Sequence, residues 1–364
     1  GHAFTVFVLL ASSLMAAATG SSIGTLLAAM PIFFPAGVAL GADPAMLAGA
    51  VLSGAIFGDN LAPVSDVTVI SSVTQRFRNG TPADIAGVVR TRLPYAMIAL
   101  AVSLPVYAFM GESRPVSEAA LSGDASALLM LVPVAVLIAV AVRTRDVLMA
   151  ISAGVVTGTA TGLLIGRLSF ATIFAADDGR LSGFLISGIS NVSPIILLCV
   201  TLFAFTGIVR EAGVPDMMAK ALEAGSAGRP SALRTELFLS AATLVVTTLF
   251  AAVTSASVAL VGSLTDDIGR ASNVHPYRRS HILSGLANSL PVLMPFSAFV
   301  LITMAAVSGL EGAAAVTPFT LMTAAFYPIA LFLVFGFAVL TGTGRMTEAP
   351  EPEAAGTAPA AAAL

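Results

Sequence analysis

Apolar and polar residues fall in long blocks along this chain. Residues 3–18 are apolar, Thr19-Gly20-Ser21-Ser22-Ile23-Gly24-Thr25 interrupts them, and apolar sequence resumes to Leu40. A membrane crossing needs about 20 residues, so each arm is short for a full span. The pair predicts a re-entrant hairpin with a Ser/Thr/Gly tip, tolerated at membrane depth only where protein or a water-filled cavity covers it. After a turn at Gly41-Ala42-Asp43-Pro44, the run from Pro44 to Val73 is apolar except at Gly58-Asp59-Asn60-Leu61-Ala62-Pro63-Val64-Ser65-Asp66. This predicts one span in two half-helices, 45–57 and 67–73, on either side of a break. A basic loop with Arg76, Arg78, Arg90 and Arg92 follows. Spans are then expected over 93–110, 127–142 and 147–165, with at least one more within 181–209. Residues 211–234 read as a surface helix and loop.

The opening pattern then returns. Residues 237–253 are apolar, Thr254-Ser255-Ala256-Ser257 interrupts, and apolar sequence resumes to Leu264 before Asp266-Asp267. A turn at His275-Pro276 leads into a second break, Asn288-Ser289-Leu290-Pro291-Val292-Leu293-Met294-Pro295-Phe296-Ser297, followed by apolar residues 298–307 and a last span over 316–341. Leu52-Ser53-Gly54 recurs as Leu283-Ser284-Gly285, Pro63 as Pro295 and Ser65 as Ser297. Hairpin, proline turn and broken helix, repeated in order, mark the two halves of a transporter-like fold and point to its central site. With re-entrant hairpins and the Arg76–Arg92 loop in the cytoplasm, all 17 basic residues except Arg114, Arg167 and Arg180 fall inside, the positive-inside pattern. The halves are then inverted. The expected fold is an all-α polytopic membrane protein of inverted repeats, each with a re-entrant hairpin and a discontinuous helix. The first repeat is 1–126 and the second 127–341, with a disordered tail over 342–364. The second half has about three spans before its hairpin and the first has none. Symmetry therefore predicts a truncated front lacking on the order of 60 to 100 residues.

Composition removes soluble alternatives. The chain is 57% hydrophobic and 10% charged with mean hydropathy +0.95, where a soluble domain carries about a quarter charged residues. Its 17 basic and 20 acidic residues are nearly balanced, and nucleic acid is not an expected partner. One cysteine, Cys199, excludes an internal disulfide. It and three scattered histidines argue against a zinc or haem site, and no cofactor is expected.

An ionisable residue at membrane depth is costly and marks a functional site by default. At the first break Pro63 frees backbone carbonyls. With Asp59, Asp66, Asn60, Ser65 and Thr68 these offer hard oxygen ligands for a small cation. A desolvated carboxylate also takes a proton readily, so proton and cation can compete for the same oxygens. The alternative is that Ser65 or Asp66 is a helix cap. The second break offers Asn288, Ser289 and Ser297 but no acid; these fit either neutral coordination or interhelical packing. The hairpin tips carry Thr19, Ser21, Ser22 and Thr25, and Thr254, Ser255 and Ser257. Their hydroxyls and N–H groups could hold a carboxylate or complete a cation shell. Asp266 and Asp267 read as solvated residues at the cytoplasmic mouth, and His281 as an interfacial histidine able to sense pH.

Residues 19–25, the stretch Gly58-Asp59-Asn60-Leu61-Ala62-Pro63-Val64-Ser65-Asp66-Val67-Thr68 and the segment from Thr254 to Ser297 resemble the NhaC family of bacterial sodium/proton antiporters, within the wider ion-transporter superfamily. The family's pattern at the first break is similar to Gly-Asp-x-x-Ser-Pro-x-Ser-Asp-Thr-Thr. Gly58, Asp59, Pro63, Ser65, Asp66 and Thr68 fit it, while Ala62 and Val67 replace a Ser and a Thr. The resemblance implies exchange of Na+ or another monovalent cation for H+ in a bacterial inner membrane, serving pH homeostasis, with some relatives exchanging organic acids. A homodimer is an expected assembly. The alternative on the same fold is an ion-coupled transporter of a small organic acid or amino acid, disfavoured because no arginine falls in the expected central site. An intramembrane aspartyl protease needs aspartates on two adjacent helices, one in Gly-x-Gly-Asp; here Ile56 and Phe57 precede Gly58 and one segment holds both acids, so an enzyme is not expected.

Overall fold

The computed structural model describes residues 1–110, 129, 131–166, 168–173, 175–177, 180–182 and 231–348, with short pieces between 186 and 213. The expected span within 181–209, most of the 211–234 stretch and the tail beyond 348 lie outside the described residues. The chain is an all-α polytopic membrane protein. Among the described residues five helices are long and apolar enough to cross a bilayer, or up to seven if each bent pair is one span. A two-stranded antiparallel pairing of Ala175–Asp177 with Arg180–Ser182 is the small exception to helix.

Helices α1 (His2–Thr19) and α2 (Ser22–Ala39) form the first hairpin. Each has 18 residues, about 27 Å at 1.5 Å per residue. They are longer than the sequence suggested, because the 19–25 interruption takes only Gly20 and Ser21 out of helix. Gly20 ends α1 in the left-handed region (φ 67°), and the Ser21 hydroxyl caps α2 by accepting from the Gly24 N–H. A Cβ on Gly20 would lie 2.8 Å from the Ser65 backbone nitrogen, so the tip rests directly on the first break.

Helix α3 (Pro44–Leu61) starts at an Asp43 cap with proline in its first turn and runs on through Asp59 and Asn60. The break is therefore only 62–65, four positions shorter at its start than the sequence reading. Pro63 disfavours helix only at the residue before it, so nothing stops α3 earlier than Leu61. Helix α4 (Asp66–Val73) follows, and residues 44–73 form the most enclosed of the candidate spans. Gly54 and Gly58 make that enclosure possible: a Cβ at Gly58 would fall 2.2 Å from the Ser13 carbonyl oxygen and one at Gly54 2.4 Å from that of Leu9. This is close small-xxx-small packing of α3 on α1.

Helix α5 (Ile85–Phe109) is capped by Asp84 and begins eight residues before the expected span, so Arg92 lies two turns inside it. The Tyr277 hydroxyl donates to Asp84 and holds that carboxyl below the usual carboxylate range. Helices α6 (Leu131–Thr144) and α7 (Val147–Leu164) pack as an antiparallel pair, α6 also meeting α1.

In the second half, α8 (Ala232–Leu249) and α9 (Thr254–Ala271) form the other hairpin. Its turn is 250–253, with Ala251 and Ala252 at φ 51° and 60°. Thr254–Ser257 is the first turn of α9, not the interruption read from sequence. Helix α10 (Pro276–Ala287), a 3-10 turn at Leu290–Leu293 and α11 (Ala298–Val307) make the second broken helix, bent by 50°. The Ala298 N–H donates to the Ala251 carbonyl at 2.8 Å, so this tip too rests on its own break. The expected last span is two helices, α12 (Pro318–Ala324) and α13 (Phe326–Thr341), bent by 56°. Packing between halves is reciprocal: α2 lies against α11, and α9 against α4.

Residues 342–348, expected to begin a disordered tail, are laid along the body. Arg345 pairs with Glu236 at 3.1 Å, the His275 N–H donates to the Met346 carbonyl at 3.0 Å, and Glu348 accepts from the Arg78 N–H at 2.7 Å. Nearby, Asp266 is buried rather than solvated: it pairs with Arg279 at 2.6 Å and Arg270 at 3.2 Å and accepts from the Arg76 N–H. Asp267 is exposed beside Arg270.

Candidate functional site

The two hairpin tips and the helices flanking the two breaks converge on one cavity of about 240 Å³. Gly20, Ser21, Ser22 and Ile23 come from the first tip, Ala252, Val253, Thr254 and Ser255 from the second, Asp59 and Asp66 from α3 and α4, and Ala298, Phe299 and Ile302 from α11. The charged residues of this lining are both acidic.

Asp59 is buried, and its two oxygens differ. Oδ2 accepts the Ser22 hydroxyl at 3.0 Å across the hairpin, whereas Oδ1 has no hydrogen-bond partner among the described residues. Ser65 caps α4 by position only: its hydroxyl is buried beside Asp59 and lacks a partner of hydrogen-bond geometry. Asp66 is exposed to the cavity and accepts from the Val67 N–H at 2.8 Å. Buried polar atoms are almost always paired; the Ser65 hydroxyl lies against the Asp59 carboxylate, which itself lines the cavity.

The other sequence candidates divide. Asn60 and Thr68 do not line the cavity: the Asn60 Oδ1 and Thr68 Oγ1 accept from Arg92 at 3.2 and 3.0 Å, and the Asn60 amide donates to the Tyr327 hydroxyl at 3.2 Å. Thr19 donates to the Met15 carbonyl of its own helix, and Ser257 to the carbonyl of Val253, the residue before α9. Thr25 is buried against α6 and α7 with no partner for its hydroxyl. In the second break Ser289 donates to the Leu286 carbonyl; Ser297 donates to that of Val292 and caps α11 by accepting from Val300. Asn288 donates to the Ser284 carbonyl, leaving its Oδ1 unpaired. Ser289, Ser297 and Asn288 thus hold the break in shape and are absent from the cavity lining.

Arg92 is the residue that the sequence reading missed. Assigned to a basic loop, it is fully buried between the halves, donating to Asn60, Thr68 and the Ser284 hydroxyl. Asp84 was the usable signal, since an Asp directly before an apolar run is a helix start. His281 is likewise buried, its Nε2 2.6 Å from the Thr91 hydroxyl. Among the described residues no cluster of three or more His, Cys, Asp or Glu is placed to hold a metal ion; the cavity offers two carboxylates, hydroxyls and backbone.

Residues 1–112 match the family model described as the Na+/H+ antiporter family. Over 108 residues the chain is 34% identical to the malate-2H(+)/Na(+)-lactate antiporter of Bacillus subtilis (strain 168), an alignment covering 30% of this chain and 22% of that protein. Over 244 residues it is 28% identical to the Na(+)/H(+) antiporter NhaC of Alkalihalophilus pseudofirmus, covering 60% of this chain and 50% of that protein. The chain thus spans half or less of the length of the curated relatives it matches. The likeness to the NhaC antiporters, read first from residues 19–25, the first break and the segment from Thr254 to Ser297, extends over 60% of the chain, and this multi-pass bacterial membrane protein matches the Na+/H+ antiporter family over residues 1–112.

Proposed function

We propose that the chain exchanges Na+, or another monovalent cation, for H+ by alternating access, with cation and proton competing for Asp59 and Asp66. The observation that carries this reading is the cavity where both tips meet α3, α4 and α11, whose charged lining residues are two aspartates. The Asp59 Oδ1 and the Asp66 carboxylate supply oxygen toward a cation, and the Ser21, Ser22, Thr254 and Ser255 groups flank it. A proton on Asp59 removes the charge that holds the cation, which makes the two cargoes mutually exclusive.

In this reading the chain comprises two inverted repeats, 1–126 and 127–341, whose hairpins enter the membrane from opposite faces. The reciprocal packing of α2 on α11 and α9 on α4 supports that relation, as do tips that each rest on their own break. The antiporter families of the relatives point to a transporter rather than an enzyme. The relative named for malate and lactate raises an organic acid as cargo. Arg92, the side chain able to clamp a carboxylate, is outside the cavity lining with its guanidinium engaged elsewhere, so the cation reading is favoured.

Everted membrane vesicles with a pH-sensitive dye test the proposal. Added Na+, Li+ or K+ should drive proton movement in the wild type and not in Asp59→Asn. Full flux in both Asp59→Asn and Asp66→Asn would overturn the mechanism.

A further inference from the structure

We propose that Arg92 is a resident counter-charge of the cavity, a permanent cation gripped by both halves that loosens the hold of Asp59 on its cargo. The inference rests on the cation reading above and adds what sets the affinity of that site.

Arg92 is fully buried, and its hydrogen-bond acceptors are neutral: Asn60 on α3, Thr68 on α4 and Ser284 on α10. Its Nε has no partner, and among the described residues it makes no direct ion pair. A guanidinium does not shed its proton in a protein, so this charge is fixed. An unpaired buried charge is strongly unfavourable, and some opposite charge must compensate it. Asp59 adjoins Asn60 in sequence, and its carboxylate is within electrostatic reach of Arg92. The other titratable groups around Arg92 are His281 on α10 and the Tyr327 hydroxyl on α13, which the Asn60 amide meets at 3.2 Å; Asp66 acts on Asp59 from α4.

The geometry makes Arg92 a positioning residue, since it does not line the cavity and reaches it through Asn60. Two carboxylates in a low-dielectric pocket would bind a cation tightly and release it slowly. One fixed positive charge nearby weakens that binding, and it balances Asp59 whenever the pocket holds neither cation nor proton. Charge interactions over several ångströms at an effective dielectric of about 20 change affinity by on the order of tenfold.

Na+ titration of the purified full chain in detergent, followed by calorimetry and by thermal unfolding, tests this. Arg92→Gln should lower the half-saturating Na+ concentration about tenfold. Asn60→Asp, which keeps the shape and neutralises the guanidinium in place, should lower it in the same direction. Arg92→Lys, which keeps the charge, should restore wild-type half-saturation. A purely structural arginine predicts the opposite sign for Arg92→Gln, with weaker binding. If the wild type binds Na+ but folded Arg92→Gln binds it equally or more weakly, the counter-charge is overturned and the cation reading stands. If Arg92→Gln does not fold, unchanged or weaker binding by Asn60→Asp overturns it equally. A wild type that binds none of Na+, Li+ and K+ overturns the cation reading and this inference together.

Discussion

The two broken helices share a plan and differ in their polar chemistry. In the first, α3 and α4 form one deeply enclosed span interrupted over 62–65, with the Asp59 Oδ1 left without a partner of hydrogen-bond geometry at the cavity. In the second, α10 and α11 are bent by 50°, and the serines are consumed by their own backbone: Ser289 on Leu286, Ser297 on Val292 and Val300. Asn288 alone among the second break's candidates keeps an unpaired atom, outside the cavity lining. A broken helix in itself is thus not a binding site. Where side chains close the backbone's open valences the break shapes a wall, and where they are left open it can receive a ligand.

That contrast is sharpest in transport. Asp59→Asn is expected to reduce Na+-driven proton flux in everted vesicles at least about 100-fold, as loss of a charge central to the chemistry would, while Ser289→Ala stays within about twofold. Comparable losses in both would mean that the second break binds cargo after all. The next largest effect separates two ion-pair neighbours. Asp266→Asn leaves buried Arg279 without its carboxylate and should cost about 3 kcal/mol, measured as lost thermal stability in detergent; Asp267→Asn, at the exposed neighbouring position, should leave the melting temperature unchanged.

The hairpin tips offer a smaller comparison. Gly20→Ala places a side chain at φ 67° and 2.8 Å from the Ser65 nitrogen, and should destabilise by about 1–2 kcal/mol. At the opposite tip Ala252→Gly relieves a φ of 60° and should stabilise by about 0.5 kcal/mol. Thermal unfolding reads both, and equal signs would refute the assignment of strain to the second tip alone. The smallest effect concerns pH. Burial holds His275 below the ordinary histidine range, so the folded state binds its proton less readily than the unfolded chain. The stability it contributes is complete above the ordinary value, about 6.5, and declines as pH falls below that value. Its Nδ1 accepts from the Tyr277 N–H and its own N–H donates to Met346. Amide exchange over 342–348, corrected for intrinsic rate, should therefore accelerate on acidification in the wild type and less in His275→Gln.

Much of this arrangement was legible in the sequence. The order hairpin, turn, broken helix is written in blocks of apolar residues punctuated by Gly, Ser and Pro, and it located both aspartates at the cavity. Two kinds of detail were not. Element ends slipped because composition marks where helix becomes unfavourable, not where it stops: α3 continues through Asp59 and Asn60 until Pro63 forbids it, and the second tip turns at 250–253 on two alanines that carry no turn signature. Side-chain destinations slipped further. Arg92 and Asp266 look like surface charges because their neighbours Arg90 and Asp267 belong to polar runs, and helical rotation alone sends one member of each pair inward. The serines of the second break were invisible as caps for the same reason, since a hydroxyl's partner is fixed by the path of the backbone around it.

The cross-bracing of α2 with α11 and α9 with α4 has a mechanical consequence. Each hairpin clasps the far segment of the other broken helix, so neither segment can tilt without dragging the hairpin that packs on it. A displacement at either broken helix is therefore passed to the opposite tip, and the elements around the cavity are mechanically linked.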